Sequence, residues 1–154
     1  MDKHGRNAFL WILAPKSTKY FHPATLQVLE PPPLAVENGE QKSFSKKPAE
    51  LRQQELLNAL LEPLIPICLT NISMLIRSQF GNDVLFEVIR NAPENEQSSL
   101  IEGICNLFQE EEDPILDNYF SSRFLIRLIK ESPGNEIELF PSILCSSFFL
   151  CEAK

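Results

Sequence analysis

One local order constrains this chain more than any other feature: a ring-bearing residue, a glycine, two polar residues and then a largely apolar run. It is clearest at Phe80, Gly81, Asn82 and Asp83, followed by Val84, Leu85, Phe86, Val88 and Ile89. Phe80, Val84 and Val88 recur every four residues with Leu85 and Ile89 beside them, so a helix here carries a wide apolar stripe with Asn82, Asp83 and Glu87 off it. Such a helix must pack against something. The order returns at His4, Gly5, Arg6 and Asn7, ahead of Phe9 to Leu13, and again at Phe120, Ser121, Ser122 and Arg123, with serine in place of glycine. Gly5, Gly81 and Ser121 lie 76 and 40 positions apart, and about 40 residues is the period of helical repeats that bury their cores by stacking on neighbours. The expected fold class is therefore all-α.

The 154 residues, 44% hydrophobic and 23% charged, suffice for one globular core. Twelve prolines and five glycines argue against one long helix, and no apolar run approaches the roughly 20 residues of a membrane span. The start, Met1 to Arg6, leads into too short an apolar run for a signal peptide, and a non-secreted chain is expected. Cys68, Cys105, Cys145 and Cys151 lack the paired short spacing of a zinc site and sit among apolar neighbours, so they read as reduced, buried small hydrophobes. His4 and His22 have no ligand spacing around them, and no cofactor or metal is implied. Charge is uneven: residues 1–49 carry seven basic against four acidic side chains, and residues 50–154 seven against seventeen, within an overall net charge of −7. The acidic part repels phosphate, so basic surface is expected in the first third.

Along the chain, residues 2–13 read as a helix stopped at Ala14 and Pro15. Its exposed run from Phe9 to Leu13 needs a covering element, which suggests a piece of a longer array. A short helix follows over Tyr20 to Leu29, with Pro23 in its first turn and Leu26 and Leu29 facing inward. Residues 31–48 have a linker's composition. From Ala49 to Leu61 a helix presents Leu51, Leu56, Leu57, Leu60 and Leu61. It is expected to break at Pro63 and Pro66, and a second helix to run on to about Ser78 with Leu64, Ile67, Cys68, Ile72, Leu75 and Ile76 inward. Residues 98–109 make another amphipathic helix, with Leu100, Ile101, Ile104, Leu107 and Phe108 inward. The acidic run at 110–113 reads as a solvated turn before Pro114, since no calcium-loop spacing accompanies it. Ser132, Pro133, Gly134 and Asn135 form a turn, and residues 137–151 are apolar and read as a further array helix. No β-strand is expected in residues 49–130, and Gly81 is expected where two helices approach too closely for a side chain.

The motif at His4-Gly5-Arg6-Asn7 and Phe80-Gly81-Asn82-Asp83 resembles the RNA-facing helix of Pumilio (PUF) repeats. The order DKHGRNAFLWILAPKSTKYFHP, a polar linker, KKPAELRQQELL and LLEPLIPICLTNISMLIRSQFGNDVLFEVI resembles the C-terminal part of the nucleolar Pumilio homologues of the Puf-A and yeast Puf-six type, CPL region included, over roughly residues 2–130. The resemblance implies an armadillo-like α-solenoid fragment. Residues 1–30 would end a Pumilio-like repeat, 31–48 form a flexible linker, 49–140 make CPL-like helical repeats, and 141–154 form an atypical or truncated tail. It further implies RNA or DNA binding with little sequence preference, partners in pre-ribosomal particles, a role in ribosome biogenesis or translational regulation, and a nuclear or nucleolar location. Carried over by position, the base-reading triplets are Arg6, Asn7 and Leu10; Asn82, Asp83 and Phe86; and Ser122, Arg123 and Ile126. Leu10 and Ile126 replace the usual amide or carboxylate and Asp83 would repel phosphate, so contact with the nucleic-acid backbone is expected instead of base readout.

The chain offers no phosphate-cradling glycine loop, nucleophile elbow or ligand cluster, so an enzyme is not expected. The candidate nucleic-acid-binding residues are Lys3, Arg6, Asn7, Lys16, Lys19, Asn82 and Arg123, with Lys46 and Lys47 in the linker. The competing reading is a protein-interaction scaffold, favoured by the acidic second half. A basic stripe on the concave face would favour nucleic acid, and an acidic or apolar groove the scaffold.

Overall fold

The computed structural model describes residues 4–29, 36–37, 40–41, 47–107 and 115–131. Lys3, Lys46, Phe108, Cys145, Cys151, the acidic run at 110–113 and the expected turn and helix beyond residue 131 lie outside them. The described elements run α1 (Gly5–Leu13), α2 (Pro23–Leu29), β1 (Val36–Glu37), β2 (Glu40–Gln41), α3 (Ala49–Thr70), α4 (Ile72–Ile76), α5 (Gly81–Asn91), α6 (Glu94–Asn106), a 3-10 turn (Ile115–Asp117) and α7 (Tyr119–Glu131). The fold is all-α. β1 and β2 form only a two-residue antiparallel ladder, Val36 opposite Gln41 and Glu37 opposite Glu40, within the segment read as a linker. No strand occurs among the described residues of 49–130.

The three motif copies become α1, α5 and α7, and α5 packs against both of the others. The cover that the apolar start requires thus comes from within the chain: Leu10 and Leu13 are buried in the core that holds Val84, Leu85, Val88 and Ile89 of α5. Trp11 meets Phe21 edge-on at 5.5 Å between centroids, and Phe86 meets Phe124 in the same way at 6.4 Å. Behind this row, α3 touches α1, α5 and α6, and α4 touches α5, α6 and α7. Each fully buried Leu or Ile in such a core contributes about 1.5–3 kcal/mol of transfer free energy.

Local chemistry sets the helix ends. Asn118 caps α7, its Oδ1 accepting from the backbone N–H groups of Phe120 at 2.9 Å and Ser121 at 3.2 Å. Ala92 turns extended because Pro93 follows, and Glu94 and Glu96 then place carboxylates at the positive end of α6. Gly81 does lie at a close approach. A Cβ there would sit 2.9 Å from the Leu75 carbonyl oxygen and 3.1 Å from the Leu75 Cα. Ser121 at the equivalent place is fully buried, whereas Gly5 is exposed, so the three copies are not packed alike.

Several expectations need correction. Pro63 and Pro66 do not break the chain into two helices: α3 runs through both. Each proline deprives the carbonyl four residues earlier, on Ala59 and Glu62, of its N–H partner. All four residues are exposed, so the loss of these two bonds falls on the solvent side of the helix, where it costs least. The break comes instead at Asn71, whose side-chain amide donates to the Ile67 carbonyl at 2.9 Å. Because α3 is one continuous helix, its buried stripe is Leu61, Leu64, Ile65 and Cys68, and Leu51, Leu56 and Ile67 face solvent. Leu29 at the end of α2 is likewise exposed. Glu87, read as lying off the apolar stripe, is only 2% exposed.

Cys68 and Cys105 are buried free thiols, as expected. Burial pushes the Cys68 thiol up to about 11. Burial, helped by the Glu102 charge, raises Cys105 as well.

Candidate functional site

A groove of about 580 Å³ opens along α5 and α7 and is flanked by α1 and the turn that follows it. Arg6, Lys19, Arg123, Arg127 and Lys130 line it, against the carboxylates of Asp83 and Glu131; Gln79, Asn82, Phe120, Phe124 and Ile126 complete the wall. Five cations against two acids form a basic concentration on a chain whose net charge is −7.

Its floor is an ion network that ties the three motif helices together. Arg6 of α1 pairs with Asp83 of α5 and lies 4.6 Å from the centroid of the Phe80 ring. Arg127 of α7 reaches Asp83 at 3.2 Å and Glu87 at 3.1 Å, and donates to the Tyr20 hydroxyl. Its guanidinium sits 3.5 Å from the centroid of the Phe86 ring. Tyr20 in turn donates to Glu87, so a buried carboxylate is satisfied from two sides. Burial, and the hydrogen bond to Glu87, hold the Tyr20 hydroxyl well above its ordinary range, with Arg127 opposing them. Tyr20 therefore stays a neutral donor.

At the groove's edge the pairs are looser. Lys19 meets both oxygens of Glu131 at 3.0 and 3.3 Å, with both side chains nearly half exposed. Against the desolvation that pushes it up, the Lys19 hydrogen bond and the charges of Arg127, Lys19 and Arg90 hold the Glu131 carboxyl below its ordinary value. Arg123 lies 5.6 Å from the centroid of the exposed Tyr119 ring and donates to its hydroxyl at 3.1 Å. Among the described residues neither Arg123 nor Lys130 is paired with a carboxylate.

Four of the expected contact residues, Arg6, Lys19, Asn82 and Arg123, converge on this groove. Asn82 donates to the Phe120 carbonyl at 3.4 Å, bridging α5 and α7. Lys16 occupies an exposed turn at φ 61° away from the groove, Asn7 is half-buried outside its lining, and Lys47 pairs with Glu55 at 2.7 Å. Asp83, read as repelling phosphate, is neutralised by Arg6 and Arg127.

Sequence reasoning missed Arg127, Lys130, Tyr20 and Glu87. A signal was available: counted from Gly81 and Ser121, Glu87 and Arg127 occupy the same position in successive motif copies, with opposite charge. Adjacent motif helices bring equivalent positions together, so that complementarity marks a cross-helix pair.

With three motif helices side by side and the family-like order of elements in place, comparison with known proteins is decisive. The sequence profile of the CPL (NUC119) domain matches residues 1–136. The chain belongs to the CPL domain family. That match takes in α1 as well as the helices from Ala49 onward, in keeping with their shared core. The chain is also 26% identical over 200 aligned positions to "Pumilio homolog 24" of Arabidopsis thaliana, an alignment covering 94% of this chain and 31% of that protein. It thus spans under a third of that relative's length. No solved structure matches the chain.

Proposed function

We propose that this CPL-domain chain is a helical-repeat module of Pumilio type that binds RNA through its sugar–phosphate backbone with little sequence preference. The observation that carries this reading is the basic groove of α1, α5 and α7, where cations converge on the face of the three motif helices while the chain as a whole is acidic. Lys19, Arg123 and Lys130 stand at its rim with ammonium or guanidinium groups within reach of solvent, as phosphate contacts require. Base readout is disfavoured: Arg6 is engaged with Asp83 and Phe80, Asn82 with the Phe120 carbonyl, and Ile126 offers no hydrogen bond. The Arabidopsis relative, a Pumilio homologue by name, and membership of the CPL family support the same direction. A solenoid arrangement in a longer protein, action in ribosome biogenesis and a nucleolar location follow as part of this proposal, resting on the family resemblance.

Binding of single-stranded and double-stranded RNA over a salt series tests it. Replacing Lys19, Arg123 and Lys130 together by glutamine is expected to weaken binding to all sequences alike. Each phosphate of a single strand that the protein ceases to neutralise lowers the slope of log affinity against log salt by about 0.7, hence by about 2 for the triple variant. An unchanged slope, or a parent chain that does not bind at moderate salt, overturns the reading and leaves the groove as a protein-docking surface.

A further inference from the structure

The groove holds two physically different kinds of ion pair, and the difference suggests how its binding is set. Arg6 with Asp83 and Arg127 with Glu87 are largely buried, so exchanging their carboxylates for a phosphate would strand a charge in the protein interior. Lys19 with Glu131 is different. Its partners lie 112 residues apart in sequence, both line the groove, and both are more than 40% exposed. Exposed pairs of this kind are weak and screened, and neither charge is stranded when they part. Two carboxylate oxygens on one ammonium also present the same chemistry as two oxygens of a phosphate.

We infer that Glu131 is a built-in competitor for the nucleic-acid backbone: it occupies Lys19 in the wall of the groove, and an incoming phosphate must displace it to use that lysine. This rests on the RNA-backbone reading above. Arg127 also lies 3.4 Å from Glu131 through Nε, but it remains held by Asp83, Glu87 and Tyr20 when Glu131 leaves. Lys19 is therefore the group set free. Lys130 and Arg123 stay available throughout, so Glu131 sets the affinity of the groove instead of switching it off. A further consequence is selectivity, because only a ligand with enough charge to displace a carboxylate gains the third cation.

The experiment is a double-mutant cycle on the full chain, with a fluorescently labelled single-stranded oligouridylate as probe. Glu131→Gln is expected to tighten binding roughly two- to five-fold at low salt, the range an exposed pair supports, with the gain shrinking as salt rises. Glu62→Gln, an exposed acid on α3 outside the groove, measures the effect of losing one negative charge alone. In a Lys19→Gln background the Glu131→Gln gain should fall to that of the Glu62→Gln control. If Glu131→Gln matches Glu62→Gln in the parent, or its gain survives loss of Lys19, the competitor role is overturned while backbone binding stands. If the parent fails to bind and Glu131→Gln binds, the competitor role as stated is overturned, because Arg123 and Lys130 should have carried binding in the parent. If neither binds, both readings fall together.

Discussion

Replacing Arg127 by methionine tests whether the ion network under the groove is a structural joint. The substitution keeps most of the apolar stem and removes the guanidinium from Asp83, Glu87, Tyr20 and the Phe86 ring at once. Asp83 retains Arg6. Glu87, only 2% exposed, keeps the Tyr20 hydroxyl and a 4.0 Å approach from the exposed arm of Arg90, which is poor compensation for a buried charge. Breaking a buried pair from one side costs about 3–5 kcal/mol. The surviving Tyr20 bond and the partial exposure of Arg127 favour the lower end, about 3 kcal/mol. Adding Glu87→Leu removes the stranded carboxylate, leaving chiefly the unpaired Tyr20 hydroxyl, a penalty of about 1 kcal/mol. The double variant is thus expected to be more stable than Arg127→Met alone by about 2 kcal/mol, a difference well above the error of urea denaturation with a common slope. An Arg127→Met loss below about 1 kcal/mol, or a double variant worse than the single one, would refute the view of Glu87 as a buried charge neutralised by Arg127.

Gly81→Ala should destabilise the chain by about 1–2 kcal/mol in the same assay, because overpacking against the Leu75 carbonyl outweighs the better helix propensity of alanine; an unchanged midpoint would refute the close approach. Tyr20→Phe should cost about 1–2 kcal/mol by leaving Glu87 one donor short, and equal stability would show the bond to be dispensable. Pro63→Ala should stabilise by about 1–3 kcal/mol by restoring an N–H in the middle of α3; a loss would mean that the local bend is needed to seat Leu64 and Ile65. The Cys68 thiol, raised from 9.0 to about 11 by burial, holds its proton more tightly in the folded chain than in the unfolded one. Its contribution is therefore complete below pH 9 and lost as pH climbs towards 11. Cys68→Ala should flatten that alkaline decline in thermal melting, and an unaltered decline would exclude Cys68 as its source.

The apolar periodicity of residues 80–89 was enough to define α5 and its burial, since Val84, Leu85, Val88 and Ile89 are core residues in any packing that uses that stripe. The glycine was informative for a related reason: only the absence of a Cβ lets α5 begin where the Leu75 carbonyl lies. Proline was misleading because its cost depends on what surrounds the orphaned carbonyl, and local sequence does not say that Ala59 and Glu62 face water. Exposure of Leu51, Leu56 and Ile67 follows from the same miss, as one unbroken α3 fixes a single helical phase across both prolines. In the groove, cations in the first third were legible as basic surface, but their engagement was not. Arg6 finds Asp83 and Lys19 finds Glu131 only after α1 has docked against helices far along the chain.

That docking also imposes a waiting time on synthesis. The partner of Arg6 lies 77 residues further on, and the same interval separates α1 from the α5 side chains that bury Leu10 and Leu13. At about 5–20 residues per second, the ribosome needs roughly 4–15 s to deliver them. Throughout that interval Phe9, Leu10, Trp11 and Leu13 have no native cover from α5, a window for chaperones or for mispairing. Docking of α1 is therefore expected to wait for α5, 77 residues after Arg6 is made.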